Sequence, residues 1–188
     1  MKIHDLHFSF GDRVIFNGLD IEINDGQITA IMAPSGKGKS TLLRLIAGLI
    51  EPQSGCIDIG GRKVGIMFQE PRLFGQLTVL QNVMLVIKQK QGRKERALEL
   101  LEAFDVVDAA EKYPDELSGG MAKRVSLARA IAYNPDILLL DEPFSALDSD
   151  MKSHVIAQTK RLVAGKTVIL VTHDHAEAQA FADCIMAL

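Results

Sequence analysis

The chain predicts an α/β fold: a mostly parallel sheet covered by helices, with an antiparallel β segment ahead of it. Three observations carry this. Residues 19–24 alternate, with Leu19, Ile21 and Ile23 set against Asp20, Glu22 and Asn24, which is the period of a half-buried strand. Later apolar runs at 28–32, 64–68, 137–140 and 167–171 are short and almost unbroken, as in strands buried on both faces of a parallel sheet. Helical spacing fills the stretches between them, and strands joined through helices imply right-handed crossovers.

The elements follow in order. The alternating segment opens a sheet with one wet face. The run at 28–32 leads into Ala33-Pro34-Ser35-Gly36-Lys37-Gly38 and then a helical pattern over 39–49, giving strand, glycine-rich loop and helix. After the strand at 64–68, Leu80, Val83, Met84, Ile87, Leu98 and Leu101 recur at helical spacing, so the middle of the chain is helical. A helix over 118–133, a strand over 136–140, a helix near 150–164 and a strand over 167–171 complete the pattern. Ligands of such open sheets bind beyond the carboxyl ends of the strands.

At 188 residues, 47% apolar and 24% charged, the chain suits one domain and excludes gross disorder. Cys56 and Cys184 are expected to be small buried apolar residues in a reducing compartment, because a fold of this size needs no disulfides. A net charge of -3 argues against a protein devoted to neutralising nucleic-acid phosphates. No apolar run approaches the ~20 residues of a membrane span, and the start lacks a basic region followed by an apolar one. Any membrane role is therefore expected to come through a partner.

Two constellations carry chemistry. In the loop before the first parallel crossover, backbone amides of Gly36, Lys37, Gly38 and Lys39 can converge on an anion beside a positive helix end. Lys39 would set its ammonium against terminal phosphates, and the Ser40 hydroxyl would reach a bridging magnesium ion, with Thr41 a lesser candidate. Ala33 stands where the nucleotide-loop pattern has glycine; its methyl is expected to be silent unless the backbone there needs positive φ. The second constellation is Asp141-Glu142-Pro143 at the end of a buried strand. Two carboxylates emerging into the crevice are costly without a cation. Asp141 would hold magnesium, and Glu142 would polarise the water that attacks the terminal phosphorus.

Between these lies Leu117-Ser118-Gly119-Gly120-Met121, which resembles the signature motif of ABC-transporter ATPases. Nearly the whole chain then matches that family in order and spacing. Its phosphate loop falls on Ala33 to Thr41, Pro34 and Ser35 included, its glutamine loop on Gln69, its magnesium aspartate on Asp141 and its catalytic glutamate on Glu142. Ser145-Ala146-Leu147-Asp148 resembles the family's D-loop, and His173 within Val171-Thr172-His173-Asp174 its switch histidine. Phe10 is similar in place to the aromatic that stacks on adenine, with Phe8 as the alternative.

The resemblance implies a P-loop nucleotide-hydrolase fold in one domain over 1–188, with a core at about 1–70 and 134–188 and an inserted helical subdomain at about 71–133. It implies ATP and Mg2+ as cofactors, with Gln69 touching the metal or the attacking water and His173 the terminal phosphate. Ser118, Gly119, Gly120 and Asp148 would complete the nucleotide site of a second, stacked ATPase subunit, most simply another copy of this chain. By residue type alone, the alternative for Asp148 is a helix cap, and for Phe10 plain core.

The stretch Gln69-Glu70-Pro71-Arg72-Leu73-Phe74 resembles importer ATPases serving nitrate, sulfonate, taurine or thiamine-precursor uptake. Exposed Leu73 and Phe74 would receive a cytoplasmic helix of a membrane permease, placing the protein on the cytoplasmic face of the membrane, with a solute-binding protein as indirect partner and no nucleic acid. Residues 88–96 are basic but diluted by glutamines and Glu95, as on a solvated surface. Met121 departs from the polar residue the family often has, and the chain stops at Leu188, one short apolar run after His173, so a minimal version is expected. The competing expectation is a nucleotide-dependent clamp with little turnover.

Overall fold

The computed structural model describes residues 1–34 and 36–188. Strands β1 (Lys2–Phe10), β2 (Arg13–Glu22) and β4 (Ser54–Asp58) form an antiparallel sheet in the order β2-β1-β4. Strands β3 (Ile28–Met32), β5 (Val64–Met67), β6 (Ile137–Asp141), β7 (Thr167–Thr172) and β8 (Cys184–Ala187) form a parallel sheet in the order β5-β6-β7-β3-β8. The helices are α1 (Lys39–Ile46), α2 (Val79–Met84), α3 (Arg93–Ala103), α4 (Gly119–Ala132), α5 (Ser149–Leu162) and α6 (His175–Phe181).

The parallel sheet divides two cores because side chains alternate across a strand. Leu138, Leu140, Val168 and Leu170 pack with α2 to α6 on one face. Ile137, Leu139, Ile169 and Val171 pack on the other against Leu42, Leu43 and Ile46 of α1 and against Leu6 and Phe8 of β1. This double burial explains why these strands read as unbroken apolar runs. Helices α2, α3 and α4 pack on one another through Val83, Leu100, Leu101 and Leu127, forming the helical portion between β5 and β6.

Three expectations change. Helix α1 ends at Ile46, not 49, because Gly48 takes φ +66 and its amide turns back to Leu45 O at 3.0 Å, a left-handed helix stop. Cys56 and Cys184 are exposed, not buried: they stand on β4 and β8, each at a sheet edge, where among the described residues one flank has no neighbouring strand. Leu73 is half-buried, packed against the helical core, so only Phe74 of that pair is exposed.

Candidate functional site

Four adjacent strands deliver the site. The carboxyl ends of β5, β6, β7 and β3 lie side by side, and from them come Gln69, then Asp141 and Glu142, then His173, then the loop at 33–38. The crevice at those ends is where the sheet order predicts a ligand.

The loop is shaped for close backbone approach. Gly36 and Gly38 take φ +81 and +88, and a Cβ on Gly38 would lie 2.6 Å from Ile15 Cγ2, so both conformation and space require glycine there. Ala33 is not among the non-glycine residues with positive φ, so its methyl imposes no such strain. Helix α1 follows Gly38 with no side-chain cap among the described residues and no acid in its first turn, whereas Thr78, Ser118, Asp148 and Asp174 cap α2, α4, α5 and α6. The free amides of α1 therefore suit an anion. Lys39 is only 6% exposed, and its Nζ donates to Ala33 O at 2.6 Å and Pro34 O at 3.2 Å, folding the ammonium over the loop. Pro34 and Lys37 are exposed on the loop, and Ser35 lies outside the described residues.

A cleft of about 370 Å³ is bounded by Gly36, Gly38, Lys39, Ser40 and Thr41 on one side and Gln69 and Glu142 on the other. Phe10 also borders it, with its side chain half in solvent at 51% exposure, while Phe8 is buried in the core. Their rings meet edge-on at 4.9 Å, so Phe8 braces Phe10. Of the two aromatics named from sequence, Phe10 is the one at the cleft.

Glu142 is the hub of the reactive end. Its Oε1 lies 2.9 Å from His173 Nδ1, and Gln69 Nε2 donates to its Oε2 at 3.4 Å. Residues 69, 142 and 173, far apart in sequence, thus meet on one carboxylate. Glu142 holds a left-handed backbone, φ +45, fixed by its amide donating to Val171 O at 2.9 Å and by Ser145 Oγ donating to its carbonyl at 2.8 Å. Such a backbone costs on the order of 1 kcal/mol and persists where the surroundings enforce it.

Asp141 is 5% exposed, and burial raises its carboxyl above the usual range, with Ser40 opposing the shift and the Glu142 charge adding to it. A buried acid beside a second acid is a place that a cation would stabilise. Among the described residues no group of three or more His, Cys, Asp and Glu could enclose a metal unaided. The hydroxyl of Ser40, the carboxylate of Asp141 and the amide of Gln69 are hard oxygen donors, which fit magnesium held jointly with phosphates and water.

Ser118, Gly119 and Gly120 lie elsewhere, at the start of α4, and do not border the cleft. Ser118 caps the helix by accepting from Met121 N at 3.3 Å. A Cβ on Gly120 would come within 3.2 Å of Ala146 O, so α4 begins tightly against the loop at 145–147. Asp148 accepts from Met151 N at 2.9 Å, the helix-cap geometry allowed for it.

Sequence reasoning missed several supports. Glu177, 3% exposed, accepts from Thr172 Oγ1 at 2.8 Å and pairs with Lys152 Nζ at 2.8 Å, pinning the turn that carries His173. Asp174 followed three residues later by Glu177 is a helix-start signal that could have marked it. Lys123 on α4 is buried, and its Nζ donates to Gln69 O. Its clue is phase: a lysine one turn ahead of buried Leu127, on the core face. Asn82, fully buried, bonds Phe74 through both main-chain atoms, and Arg129 donates to Pro71 O and Arg72 O at 2.9 Å, together fixing the loop at 71–78.

The family model described as ABC transporter matches residues 16–145, more than half of the chain. The aliphatic sulfonates import ATP-binding protein SsuB 1 of Mesorhizobium japonicum is 42% identical over 95% of this chain, which spans 71% of that protein. The sulfate/thiosulfate import ATP-binding protein CysA of Synechocystis sp. is 40% identical over 99% of this chain, which spans 57% of it. Among solved structures, the dimeric post-hydrolysis state of the ATP-binding cassette MJ0796 bound to ADP and Pi superimposes with a TM-score of 0.88 at 34% identity, covering 100% of this chain and 93% of that one.

Proposed function

The chain belongs to the ABC transporter ATP-binding family, and from that premise we propose that it is the ATP-hydrolysing subunit of an importer, working as an ATP-sandwiched dimer. The observation that carries the reading is the convergence of Gln69 and His173 on Glu142 at the mouth of the cleft bounded by Lys39 and Ser40. ATP lies with its phosphates on the amides of 36–39 and its adenine against Phe10. Ser40, Asp141 and Gln69 would hold magnesium, which would supply positive charge against the phosphate oxygens. Glu142 takes the proton of the attacking water, and its two side-chain partners fix its direction. His173 stands ready to donate to the terminal phosphate.

Ser118, Gly119 and Gly120 cap the nucleotide of a second subunit, since they border no part of this chain's own cleft; Asp148 anchors the adjoining turn through its cap. Hydrolysis then waits on dimer closure, which excludes water. Ala33 is not in a strained φ, which removes one ground for a non-hydrolysing clamp. Among the described residues no helix is long and apolar enough to cross a membrane, so attachment to the membrane runs through permease subunits, with a solute-binding protein upstream. The decisive test is the mass of Glu142→Gln in solution. Magnesium and ATP should double it, and a persistent monomer would overturn the sandwich.

Exposed Phe74 is the anchor offered to the permease, set beside the Arg129 guanidinium 5.8 Å from its ring. Because Leu73 is half-buried in the helical core, Phe74→Ser is a cleaner probe than the double change. The variant should hydrolyse ATP as the wild type does in isolation and lose transport in the reconstituted complex. Normal uptake would count against docking at this loop.

A further inference from the structure

Hydrolysis as proposed above requires the start of α4, which faces a partner's nucleotide, to act in step with Glu142, which faces this chain's own. A continuous set of contacts joins them. Lys123 opens the second turn of α4, one helical turn beyond Gly119, close to the signature end of that helix. It is 4% exposed, and its Nζ donates to the main-chain carbonyl of Gln69. The Gln69 side chain donates to Glu142 Oε2 at 3.4 Å, and His173 holds the other oxygen.

We propose that Lys123 is a positioning residue: it ties α4 to the main chain at Gln69, and through Gln69 it sets the direction of the Glu142 carboxylate. Two features make a lysine suited to the task. Lys123 is itself buried and its ammonium needs an acceptor, which the Gln69 carbonyl supplies, and a charged donor gives a bond roughly twice as strong as a neutral one. The ammonium also brings one positive charge into a region where Asp141, Glu142 and Glu177 gather three acids, and this keeps the cost of the acid pair down without occupying the position of either acid's own ligand. Small displacements matter here, because misplacing a catalytic group by about 1 Å can cost ~10²-fold in rate. Shifts of α4 on closing over the partner's nucleotide would therefore reach this chain's own base through two hydrogen bonds.

The inference rests on the ATPase reading, and the experiment separates the two. Lys123→Met keeps the length of the side chain and removes donor and charge; Lys123→Arg keeps both. In steady-state ATP hydrolysis the Met variant should lose roughly 10- to 100-fold in kcat with the KM for ATP within about twofold of wild type, and Arg should restore most of the loss. Combined with Glu142→Gln, Lys123→Met should still double in mass with ATP and magnesium, because the cradle at 36–41 is untouched. Wild-type kcat in the Met variant overturns the proposal. So does a loss that follows a lowered melting temperature and is not rescued by Arg, since that is a packing effect. Failure of Glu142→Gln alone to double would count against the shared nucleotide site, while the kcat comparison would still decide the role of Lys123.

Discussion

Glu142→Gln should abolish most ATP turnover, lowering kcat by ~10²- to 10⁴-fold, the usual worth of a positioned general base, while ATP affinity stays near wild type. The two halves of this result have separate structural causes. On the proposed mechanism, affinity would come from the amides of the loop, from Lys39 and from the start of α1. Turnover would depend on the carboxylate that Gln69 and His173 hold from both sides. Glutamine has nearly the same shape, and it can accept through one oxygen where glutamate accepts through two, so the Gln69 and His173 contacts cannot both persist unchanged. Its amide also cannot take a proton from water at neutral pH. The left-handed backbone at Glu142 should tolerate the substitution, because the φ of +45 is enforced by main-chain bonds to Val171 and Ser145 rather than by the side chain. The measurements are nucleotide affinity by titration and phosphate release per active site. Turnover within tenfold of wild type would remove Glu142 from the mechanism.

How much of this was legible beforehand depends on whether the information was local. Strands β3 and β7 were read almost to the residue because both their faces are buried and, apart from Thr29, Thr167 and Thr172, every position is apolar. The candidate cradle and acid pair were visible as motifs because each is made of neighbouring residues. Strands β4 and β8 were not identified: Ser54–Asp58 and Cys184–Ala187 are edge strands, largely exposed, so no burial pattern marks them. The same edge position exposes the two cysteines that composition had placed inside. The meeting of Gln69, Glu142 and His173 was expected from resemblance, but its form, two partners on one carboxylate, is a consequence of the order β5-β6-β7 and not of any local pattern. Lys123 and Arg129 escaped notice for another reason. A lysine or arginine in a helix usually lies in solvent, and only the pairing of α4 with the loop after β5 turns them inward.

Asp141→Asn should make the protein without nucleotide more stable and at the same time less able to use ATP. Burial raises the Asp141 carboxyl above its ordinary 3.8, and the neighbouring Glu142 charge pushes the same way. A raised acid pKa means that the folded state holds its proton more tightly than the unfolded chain does. The corresponding stability is fully present below 3.8 and is lost as pH rises through the folded value. At neutral pH, therefore, the wild type carries the cost of a buried charge that asparagine does not, while the amide can still hydrogen-bond to Ser40. The expected gain is on the order of 1 kcal/mol, or a few degrees in Tm, and the difference between variant and wild type should shrink as the pH is lowered toward 4. Function moves the other way. Asparagine offers magnesium a neutral oxygen in place of an anionic one, so the stabilisation that ATP with magnesium adds over ATP alone should fall sharply, and turnover with it. Melting curves at pH 7 and pH 4, with and without ATP and magnesium, check both halves. An Asp141→Asn protein less stable than wild type at pH 7 would mean that Ser40, Lys123 and Arg44 already compensate the charge in the absence of any metal, and the acid pair would then not be a site that awaits a cation.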